Sequence, residues 1–353
     1  MIKVLGLALY GSLAASTRYR LCQYAPGLAE QGIDLEVRSL LGDDYLRRRF
    51  GSGSMPFGSV LSAAWARFEG LRRHRADVTI LYSELFPLVP GQIERAMLSR
   101  APYIYDFDDA FYLKYRSGRW GRLAPALGNK FDKIISGAAA VTAGNRTLAG
   151  YASGHNQAVT TLPTVVDTTR YTAVTRSRSD TFTVGWIGSP STAPYLDDLV
   201  TPLTRLGTEG KVRLVVVGGK APVIPNVDVV EVEWNEATEV SLIQGFDVGV
   251  MPLPDDDWAR GKCAFKLIQY MACGVPVIGA RVGTNIDVVT PECGYLAQNA
   301  TEWADALRTL RDERTTARSM GEAARLRAEE HYSLHRNLPV FAQVIRRAAG
   351  RGD

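Results

Sequence analysis

Short runs of apolar residues alternate with amphipathic, helical stretches along most of the chain. In the first half these runs cover residues 4–9, 33–37, 78–82, 103–105 and 139–142. A second series covers residues 182–187, 212–217, 227–232, 248–251 and 276–278. Short continuous apolar runs are typical of strands that are buried on both faces of a parallel sheet. The two series therefore predict an α/β protein with two Rossmann-like domains.

Composition narrows the class of protein further. Of 353 residues, 46% are hydrophobic and 22% are charged, which excludes disordered and fibrous proteins. No run approaches about 18 consecutive apolar residues, so we expect no transmembrane helix. Four cysteines without a CxxC pair favour buried thiols in a reducing compartment. We expect a cytoplasmic protein in which residues 4–9 form a first strand rather than part of a signal peptide.

Charge is distributed unevenly along the chain. The net charge of +4 is too small to indicate a nucleic-acid partner. Residues 1–175 hold 21 Lys and Arg against 14 Asp and Glu, a net +7, whereas residues 176–353 hold 20 against 23, a net −3. The basic half indicates an anionic partner, such as a phosphate group or a lipid surface.

One basic segment is a candidate for the inner face of a membrane. Arg47, Arg48 and Arg49 precede a helix that carries Trp65 and Phe68 on one side. Basic amphipathic segments with aromatic residues can lie on anionic lipid surfaces, although such segments more often pack on their own domain. The basic excess favours peripheral membrane contact here.

Candidate binding residues follow the predicted strands. In open parallel sheets, ligands bind at the carboxyl ends of the strands. The loops at these ends contain Gly11, Ser12, Asp106, Asp108, Asp109, Gly188, Ser189, Ser191, Thr192, Gly219 and Lys220. Each loop alone is as typical of an ordinary turn as of a ligand site. Neither GxGxxG nor GxxxxGK[ST] is present, so the sequence gives no support to a dehydrogenase or a P-loop nucleotidase.

The segment over residues 255–278 is the most informative. It predicts a helix over 263–273 that ends at Gly274 and is followed at once by a strand. Lys262, Lys266 and Gln269 are spaced to share one helix face. Two cations near a helix N-terminus suit a diphosphate, and Gln269 suits a sugar diol. The alternative interpretation is a solvated polar stripe on an amphipathic helix.

This segment also carries a resemblance to a known family. Residues 262–278 followed by Gly283-Thr284-Asn285 resemble the donor-binding segment of glycosyltransferase family four, K/S-x-x-x-K-L-x-E-Y-M-A-x-G-x-P-V-V and then G-x-N/P. Further segments resemble the family in its order: Thr-Ala-Gly-Asn at 142–145, Leu-Pro-Thr-Val-Val-Asp at 162–167, Gly-Trp-Ile-Gly at 185–188 and Asp-Val-Gly-Val-Met-Pro-Leu at 247–253. The first 100 residues match only in general pattern.

The resemblance implies the GT-B fold, in which two Rossmann-like domains with parallel sheets face across a cleft. Residues 1–165 would bind the acceptor and residues 166–336 the nucleotide-sugar donor, with residues 162–167 and 172–180 as the linker. A closing helix within 337–353 would return to the first domain. The implied activity is hexosyl transfer, with retention, from a nucleotide-diphosphate sugar to a glycan or lipid-linked acceptor. Neither a metal nor a further cofactor is expected.

The chain departs from the family at two donor positions. The family commonly has two Glu residues eight apart, where this sequence has Gly261 and Gln269. An amide can still pair with a ribose diol, but it loses the charge-assisted hydrogen bond of a carboxylate. The family's diphosphate-binding Arg and Lys after the first strand of the second domain are also absent. We expect Arg260, Lys262 and Lys266 to bind the phosphates, together with the hydroxyls of the 189–192 loop.

Acceptor-side residues are assigned more coarsely. The resemblance places Asp106, Asp108 and Asp109 beside the reacting sugar, where they would orient acceptor hydroxyls or stabilise positive charge. Arg18 and Arg20 lie near the start of the first helix and are candidate ligands of an acceptor phosphate. First-turn contacts with solvent are an equally good interpretation of both arginines.

Three alternatives remain open from the sequence. An Asp-x-Asp after a strand resembles the nucleophile loop of haloacid-dehalogenase-type phosphatases, with Asp106 attacking phosphorus and Asp108 as acid, although the Thr or Val that usually follows the second Asp is missing. The same motif occurs in metal-dependent, single-domain glycosyltransferases, which the second series of strands disfavours. A binding-only homologue is the third alternative, because both family Glu residues are replaced.

Overall fold

The computed structural model describes residues 1–50, 57–116, 118–174 and 179–351. The chain forms two compact units. The first comprises Met1–Thr164 together with Asn337–Asp353, and the second comprises Val165–Arg336. The chain passes from the first unit to the second between Thr164 and Val165, and it returns to the first at Asn337.

The first unit is built on a parallel sheet with the strand order β2-β1-β3-β4-β5-β6. Its strands are β1 Ile2–Tyr10, β2 Ile33–Leu41, β3 Val78–Tyr82, β4 Tyr103–Phe107, β5 Ala140–Ala143 and β6 Val159–Thr161. Its helices are α1 Ala15–Arg20, α2 Ala25–Glu30, α3 Asp43–Phe50, α4 Phe57–Arg73, α5 Gly91–Leu98, α6 Ala124–Leu127, α7 Lys130–Gly137 and α8 Arg146–Ser153. Short 3-10 helices cover Cys22–Tyr24, Phe111–Leu113 and Gly118–Leu123.

The second unit has a parallel sheet of its own, in the order β12-β11-β10-β7-β8-β9. Its strands are β7 Phe182–Ile187, β8 Val212–Val217, β9 Asp228–Val232, β10 Val248–Met251, β11 Val277–Ala280 and β12 Gly294–Ala297. Its helices are α9 Val200–Glu209, α10 Glu239–Gln244, α11 Asp257–Arg260, α12 Phe265–Ala272, α13 Asn285–Val288, α14 Ala300–Asp312 and α15 Arg314–His331, with a 3-10 helix at Ala193–Leu199. The last helix, α16 Leu334–Ala348, extends into the part of the chain that belongs to the first unit.

In each sheet the chain adds strands first on one side of a central strand and then on its other side. We expect a ligand at the point where this change of direction occurs. In the second unit the chain builds β7, β8 and β9 outward and then returns to place β10 beside β7. In the first unit β1 lies between β2 and β3. Crevices form where neighbouring connections leave in opposite directions, at the carboxyl ends of such strand pairs. The candidate residues after β1 and β7 therefore lie at these reversal points.

Two neighbouring glycines let aromatic rings approach the centre of the second sheet. Gly185 of β7 pairs with Gly249 of β10. A Cβ at Gly185 would lie 2.0 Å from the Phe246 ring, and one at Gly249 would lie 2.2 Å from the Tyr270 ring. Both rings are buried, and their centroids lie 6.1 Å apart with the rings edge to face. These contacts explain why glycine occupies both apolar strands.

The expected helix over residues 263–273 is corrected by the structure. Ala264 has a left-handed backbone, φ 53° and ψ 24°, and α12 begins only at Phe265. Lys262 therefore precedes the helix and does not share a face with Lys266 and Gln269. A non-glycine residue in this region is strained, so the surrounding contacts must hold Ala264 in place.

Other differences have simple physical reasons. The expected continuous helix from residue 18 is divided into α1, a 3-10 turn and α2, since Pro26 is accommodated in the first turn of α2. Strands β6 and β12 are short and contain polar residues or glycine, so no apolar run indicated them. Part of the expected linker, residues 175–178, lies outside the described residues. Across the described ranges, no helix is long and apolar enough to cross a membrane.

Candidate functional site

The carboxyl edge of the second sheet brings several glycine-containing loops together. After β7 the chain passes through Gly188, and after β8 it turns at Gly218, which has φ 79°. A Cβ on Gly218 would lie 2.5 Å from the carbonyl oxygen of Gly188, and one on Gly188 would lie 2.4 Å from the Trp186 ring. A Cβ on Gly219 would meet the same ring at 2.9 Å. Because both loops have glycine at these positions, their backbones lie close together. Main-chain groups, and no side chains of these residues, therefore line this part of the edge.

Lys266 reaches the same place from the first turn of α12. Its Nζ lies 5.5 Å from the centroid of the Trp186 ring, within the range of a cation–π contact. Its Cε lies 2.8 Å from where a Cβ of Gly188 would stand. A cation and the N-terminus of an eight-residue helix thus meet beside the loop after β7.

The hydroxyl loop after Gly188 forms a compact turn. Ser189 and Ser191 bring their Oγ atoms within 2.8 Å of each other, and Thr192 Oγ1 donates to the carbonyl oxygen of Ser189 at 3.2 Å. The turn leads into the 3-10 helix that begins at Ala193. Lys220, at the neighbouring loop, is exposed and pairs with Glu231 at 2.6 Å.

Arg260 and Lys262 contact residues of their own segment, whereas Lys266 lies beside the loop after β7. Arg260 Nε donates to Asp255 at 2.8 Å, and this hydrogen bond raises the pKa of the guanidinium. Lys262 Nζ lies 5.9 Å from the Trp258 ring. Gly283, with φ 51°, packs against the backbone of Arg260, since a Cβ there would lie 2.7 Å from the Arg260 Cα. The glycine of the Gly-Thr-Asn segment thus packs against the last residue of α11.

Gln269 lies in a buried polar chain that the sequence did not indicate. Its Nε2 donates to the hydroxyl of Tyr171 at 2.9 Å, and that hydroxyl donates to Glu239 Oε1 at 2.6 Å. Trp234 Nε1 donates to the other oxygen of the same carboxylate at 2.8 Å. Tyr171 and Glu239 are 98 and 30 residues away from Gln269 in the chain, and no local spacing relates them.

In the first unit, the loop after β1 is held by a side chain from α3. Asp43 accepts a hydrogen bond from the Leu13 amide at 2.9 Å and another from Ser12 Oγ at 3.2 Å. A Cβ on Gly11 would lie 2.2 Å from Asp43 Oδ1, so only glycine fits. Arg18 donates through Nη1 to the carbonyl oxygen of Ser12 at 2.8 Å. Arg18, a candidate acceptor ligand, therefore also supports the loop.

Arg20 and Asp106 form a fully buried ion pair. Arg20 Nε lies 3.0 Å from Asp106 Oδ2, and Nη2 lies 2.5 Å from Oδ1. Thr142 Oγ1 donates to Oδ1 at 2.5 Å, while Arg20 Nη1 donates to the carbonyl oxygen of Leu162 at 2.7 Å. Neither ionic side chain has exposed surface. Arg20 thus faces the interior and neutralises Asp106, and the geometry does not fit Asp106 as a nucleophile toward a phosphate.

Asp108 occupies a different environment from Asp106. Tyr82 donates its hydroxyl hydrogen to Asp108 Oδ1 at 2.5 Å, and Thr164 Oγ1 lies 3.4 Å from Oδ2. Burial, followed by the negative charge of Asp109, raises the pKa of the Asp108 carboxyl to about 6. A carboxyl that titrates near neutrality at a strand end is typical of functional sites.

A second buried ionic cluster lies under the loop after β3. Lys130 Nζ contacts Glu84 Oε2 at 2.7 Å, Glu94 Oε1 at 2.9 Å and the carbonyl oxygen of Phe86 at 2.7 Å. Glu94 also accepts from the backbone amides of Leu85 and Phe86. All three ionic side chains are fully buried. The sequence did not indicate this cluster, which fixes the loop that leaves the carboxyl end of β3.

Within residues 1–50, 57–116, 118–174 and 179–351, no group of three or more His, Cys, Asp or Glu residues is arranged to hold a metal ion. His331 and His335, which the sequence spaces four apart, lie in different helices, α15 and α16.

Part of the second unit matches a known protein family. Residues 181–313 match the family described as Glycosyl transferases group 1. These residues contain the glycine loops, Lys266 and Gln269. The match and the fold together confirm the resemblance to glycosyltransferases with the GT-B fold. No curated protein matches the sequence.

Solved structures match along nearly the whole chain. Sucrose-phosphate synthase from Thermosynechococcus elongatus has a TM-score of 0.70 at 16% identity, over 98% of this chain and 99% of that one. Anabaena Alr3699/HepE in complex with UDP and glucose has a TM-score of 0.66 at 16% identity, over 98% and 99%. The apo form of the lipopolysaccharide outer core galactosyltransferase WaaB has 0.65 at 12% identity, also over 98% and 99%. Likeness at these identities establishes the fold.

Replacing Arg20 with Met should destabilise the protein strongly, because it leaves Asp106 as an unpaired buried charge. We expect a loss of roughly 3–5 kcal/mol in the free energy of unfolding, measured by denaturant titration. The double variant Arg20→Met/Asp106→Leu should recover most of this loss. The matched control is Arg213→Met, which breaks a half-exposed pair with Asp228 and should cost under about 1 kcal/mol. Equal losses in both arginine variants would contradict the buried pair.

Asp108→Asn should stabilise the protein at pH 8 relative to the wild type. The raised folded-state pKa means that the charged carboxyl is disfavoured in the fold above pH 6. The wild type should therefore gain stability as the pH falls through about 6, and the difference between the proteins should narrow toward pH 4.5. Thermal midpoints across this pH range measure the effect, and a gap that does not change with pH would contradict the raised pKa.

Proposed function

We propose that this protein is a retaining glycosyltransferase that transfers a hexose from a nucleotide-diphosphate sugar to a hydroxyl of a glycan or lipid-linked acceptor, without a metal ion. The observation that carries the proposal is the meeting of Lys266, the start of α12 and the glycine loops after β7 and β8. This meeting lies within residues 181–313, which match Glycosyl transferases group 1. The second unit accordingly binds the donor, and the first unit binds the acceptor.

The donor diphosphate lies against the N-terminal turn of α12 in this proposal. As the bond to the sugar breaks, negative charge grows on the leaving diphosphate and the sugar becomes oxocarbenium-like. Lys266 and the free N–H groups of the helix start stabilise that charge without a metal ion. Arg260, Lys262 and the hydroxyls of Ser189, Ser191 and Thr192 complete the phosphate contacts, and Lys220 lies at the rim. Gln269 hydrogen-bonds the ribose.

Asp108 is the acceptor-side group that the geometry favours. A partly buried carboxylate, held by Tyr82, can accept a hydrogen bond from the attacking hydroxyl and orient it. Asp109 adds negative charge near the reacting carbon, while Asp106 and Arg20 support the strand end from inside the fold. The proton of the acceptor hydroxyl passes to an oxygen of the leaving diphosphate.

The proposed nucleotide is a uridine diphosphate. Anabaena Alr3699/HepE, similar in fold over 98% of this chain, has been solved with UDP and, in another crystal, with UDP-glucose. A lipid-linked acceptor would bring the first unit to an anionic membrane surface on the cytoplasmic side. Exposed side chains on α4 support that location: Leu61 is 56% exposed and Trp65 is 66% exposed. Arg72 and Arg73 lie about two turns beyond Trp65 on the same helix, and both side chains are exposed.

Thermal unfolding with nucleotides tests the proposal. UDP in EDTA should raise the unfolding midpoint, whereas GDP, dTDP, ADP and CMP should have smaller effects. A ligand at about 100 times its Kd stabilises by about 2.7 kcal/mol, which raises the midpoint by a few degrees. A shift that requires Mn²⁺ would contradict metal-independent binding. Binding of UDP without turnover of UDP-sugars on any glycan acceptor would favour a binding-only protein.

Lys266→Ala should reduce kcat/KM for sugar transfer by about 10²–10³-fold, because it removes the cation that stabilises the leaving diphosphate. Hydrolysis or transfer of UDP-glucose provides the assay, and the thermal midpoint without ligand should stay close to that of the wild type. Lys211→Ala, at an exposed lysine before β8, is the matched control. An unchanged kcat/KM in Lys266→Ala would exclude the phosphate role.

Replacing Leu61 and Trp65 together with Ser should reduce binding to vesicles that contain phosphatidylglycerol, because both side chains are exposed on α4. Co-sedimentation with anionic and with neutral vesicles measures the effect, and high salt should weaken the wild-type binding. Leu326→Ser, at a comparably exposed leucine of α15, is the control. Replacing Arg47 and Arg48 should add to the loss, whereas the side chain of Arg49 lies outside the described residues. Equal sedimentation of all variants would exclude the membrane surface.

A further inference from the structure

The hydrogen-bonded chain around Glu239 links two elements of the second unit. It runs from Gln269 in the middle of α12 through Tyr171 to Glu239 at the first position of α10. Two further groups donate to the same carboxylate: Trp234 from the loop after β9, and the guanidinium of Arg170, whose Nη2 lies 3.2 Å from Glu239 Oε1. Gln269, Tyr171 and Glu239 are 4%, 0% and 1% exposed. Polar groups buried this deeply are costly to leave unpaired, so their hydrogen-bond directions are strongly constrained.

Glu239 fixes the direction of the whole chain. An ionised carboxylate can only accept hydrogen bonds, so the single hydroxyl hydrogen of Tyr171 points to Glu239. Toward Gln269 that hydroxyl can then only accept. The amide of Gln269 must therefore turn its NH2 group to Tyr171, which places its carbonyl oxygen Oε1 on the opposite side. A carboxylate at position 269 has no hydrogen to donate and could not occupy this place in the chain.

We propose that Glu239 is a positioning residue of the donor site: acting through Tyr171, it orients the Gln269 amide so that Oε1 accepts a hydrogen bond from a ribose hydroxyl of the nucleotide sugar. This inference rests on the proposed function, which places Gln269 at the ribose. It also gives a reason for Gln where the resembling family has Glu. The negative charge in this chain resides at position 239, and position 269 requires a side chain that both donates and accepts.

The consequence is that a carboxylate at position 269 should lower both stability and UDP affinity while Glu239 is present. Gln269→Glu places two carboxylates on either side of one hydroxyl hydrogen, and like charges so close disfavour ionisation of both. One of the two must take up a proton, so its pKa rises. The free energy of unfolding should then fall as the pH rises from the ordinary range of a Glu carboxyl through that raised pKa. Glu239→Gln in the same protein removes the conflict, because the tyrosine can donate to residue 269 instead.

Four proteins test the inference: the wild type, Gln269→Glu, Glu239→Gln and the double exchange. UDP affinity is measured by calorimetry, and the thermal midpoint without ligand is measured at pH 5.5 and pH 8. Gln269→Glu should weaken UDP binding by about tenfold or more and lower the midpoint more at pH 8 than at pH 5.5. The double exchange should recover most of both losses relative to Gln269→Glu. Two independent structural defects would add to each other, so a second exchange that recovers the loss caused by the first indicates that residues 239 and 269 interact.

Matched controls isolate the buried chain. Glu233→Gln removes an exposed carboxylate from the same loop between β9 and α10. Gln343→Glu adds a carboxylate at an exposed position of α16. Both controls should leave UDP affinity and the pH dependence of the midpoint unchanged.

The outcomes separate this inference from the proposed function. Additive effects of the two exchanges on the midpoint and on UDP affinity overturn the role of Glu239, while turnover and the Lys266→Ala result still stand. If the effects of the two exchanges on the thermal midpoint are not additive but all four proteins bind UDP equally well, the contact between Gln269 and the ribose is overturned. If the wild type binds none of the nucleotides, the proposed function fails together with that contact. Non-additive effects on the thermal midpoint would then show only that the hydrogen-bonded chain stabilises the fold.

Discussion

Two adjacent parallel strands cannot be joined by a tight turn, because the chain must first cross back over a face of the sheet to start the second strand. All carboxyl ends of the strands therefore lie at one edge, and every loop that leaves them opens on the same side. Both units obey this constraint with six strands each. It is the reason that residues from distant parts of the sequence, such as Gly188, Gly218 and Lys266, meet at one place.

The two units treat charge at this edge in different ways. The first unit buries its ions and pairs them, Arg20 with Asp106 and Lys130 with Glu84 and Glu94, so that the strand ends become rigid. It places Asp108, whose pKa is raised, 2.5 Å from the hydroxyl of Tyr82. The second unit instead brings backbone close to backbone at glycines and places one lysine at a helix start. Rigid carboxylates suit the positioning of hydroxyl groups, whereas main-chain amides and a cation suit a diphosphate.

Much of the fold was predictable, because continuous apolar runs and Gly or Pro boundaries are local signals. Strands β3, β7, β8 and β10 have the bounds that the apolar runs predict. The left-handed Ala264, which starts α12 late, was not predictable, since nothing in an alanine indicates positive φ. The partners of the candidate residues were also hidden: Arg20 meets Asp106 across 86 positions, and Gln269 reaches Glu239 only through Tyr171. Asn145, part of the family-like turn, caps α8 by accepting from the Leu148 amide.

The path of the chain has a consequence for its biosynthesis. Tyr24 of the first unit packs edge to face on Phe341 of α16, with the ring centroids 4.9 Å apart, and α16 is made after the second unit. Until that helix leaves the ribosome, Tyr24 lacks this contact, while the whole of the second unit is already available to fold. Domains usually fold in their order of synthesis. Here the second unit can be complete first, because the first unit includes a segment that is made after it.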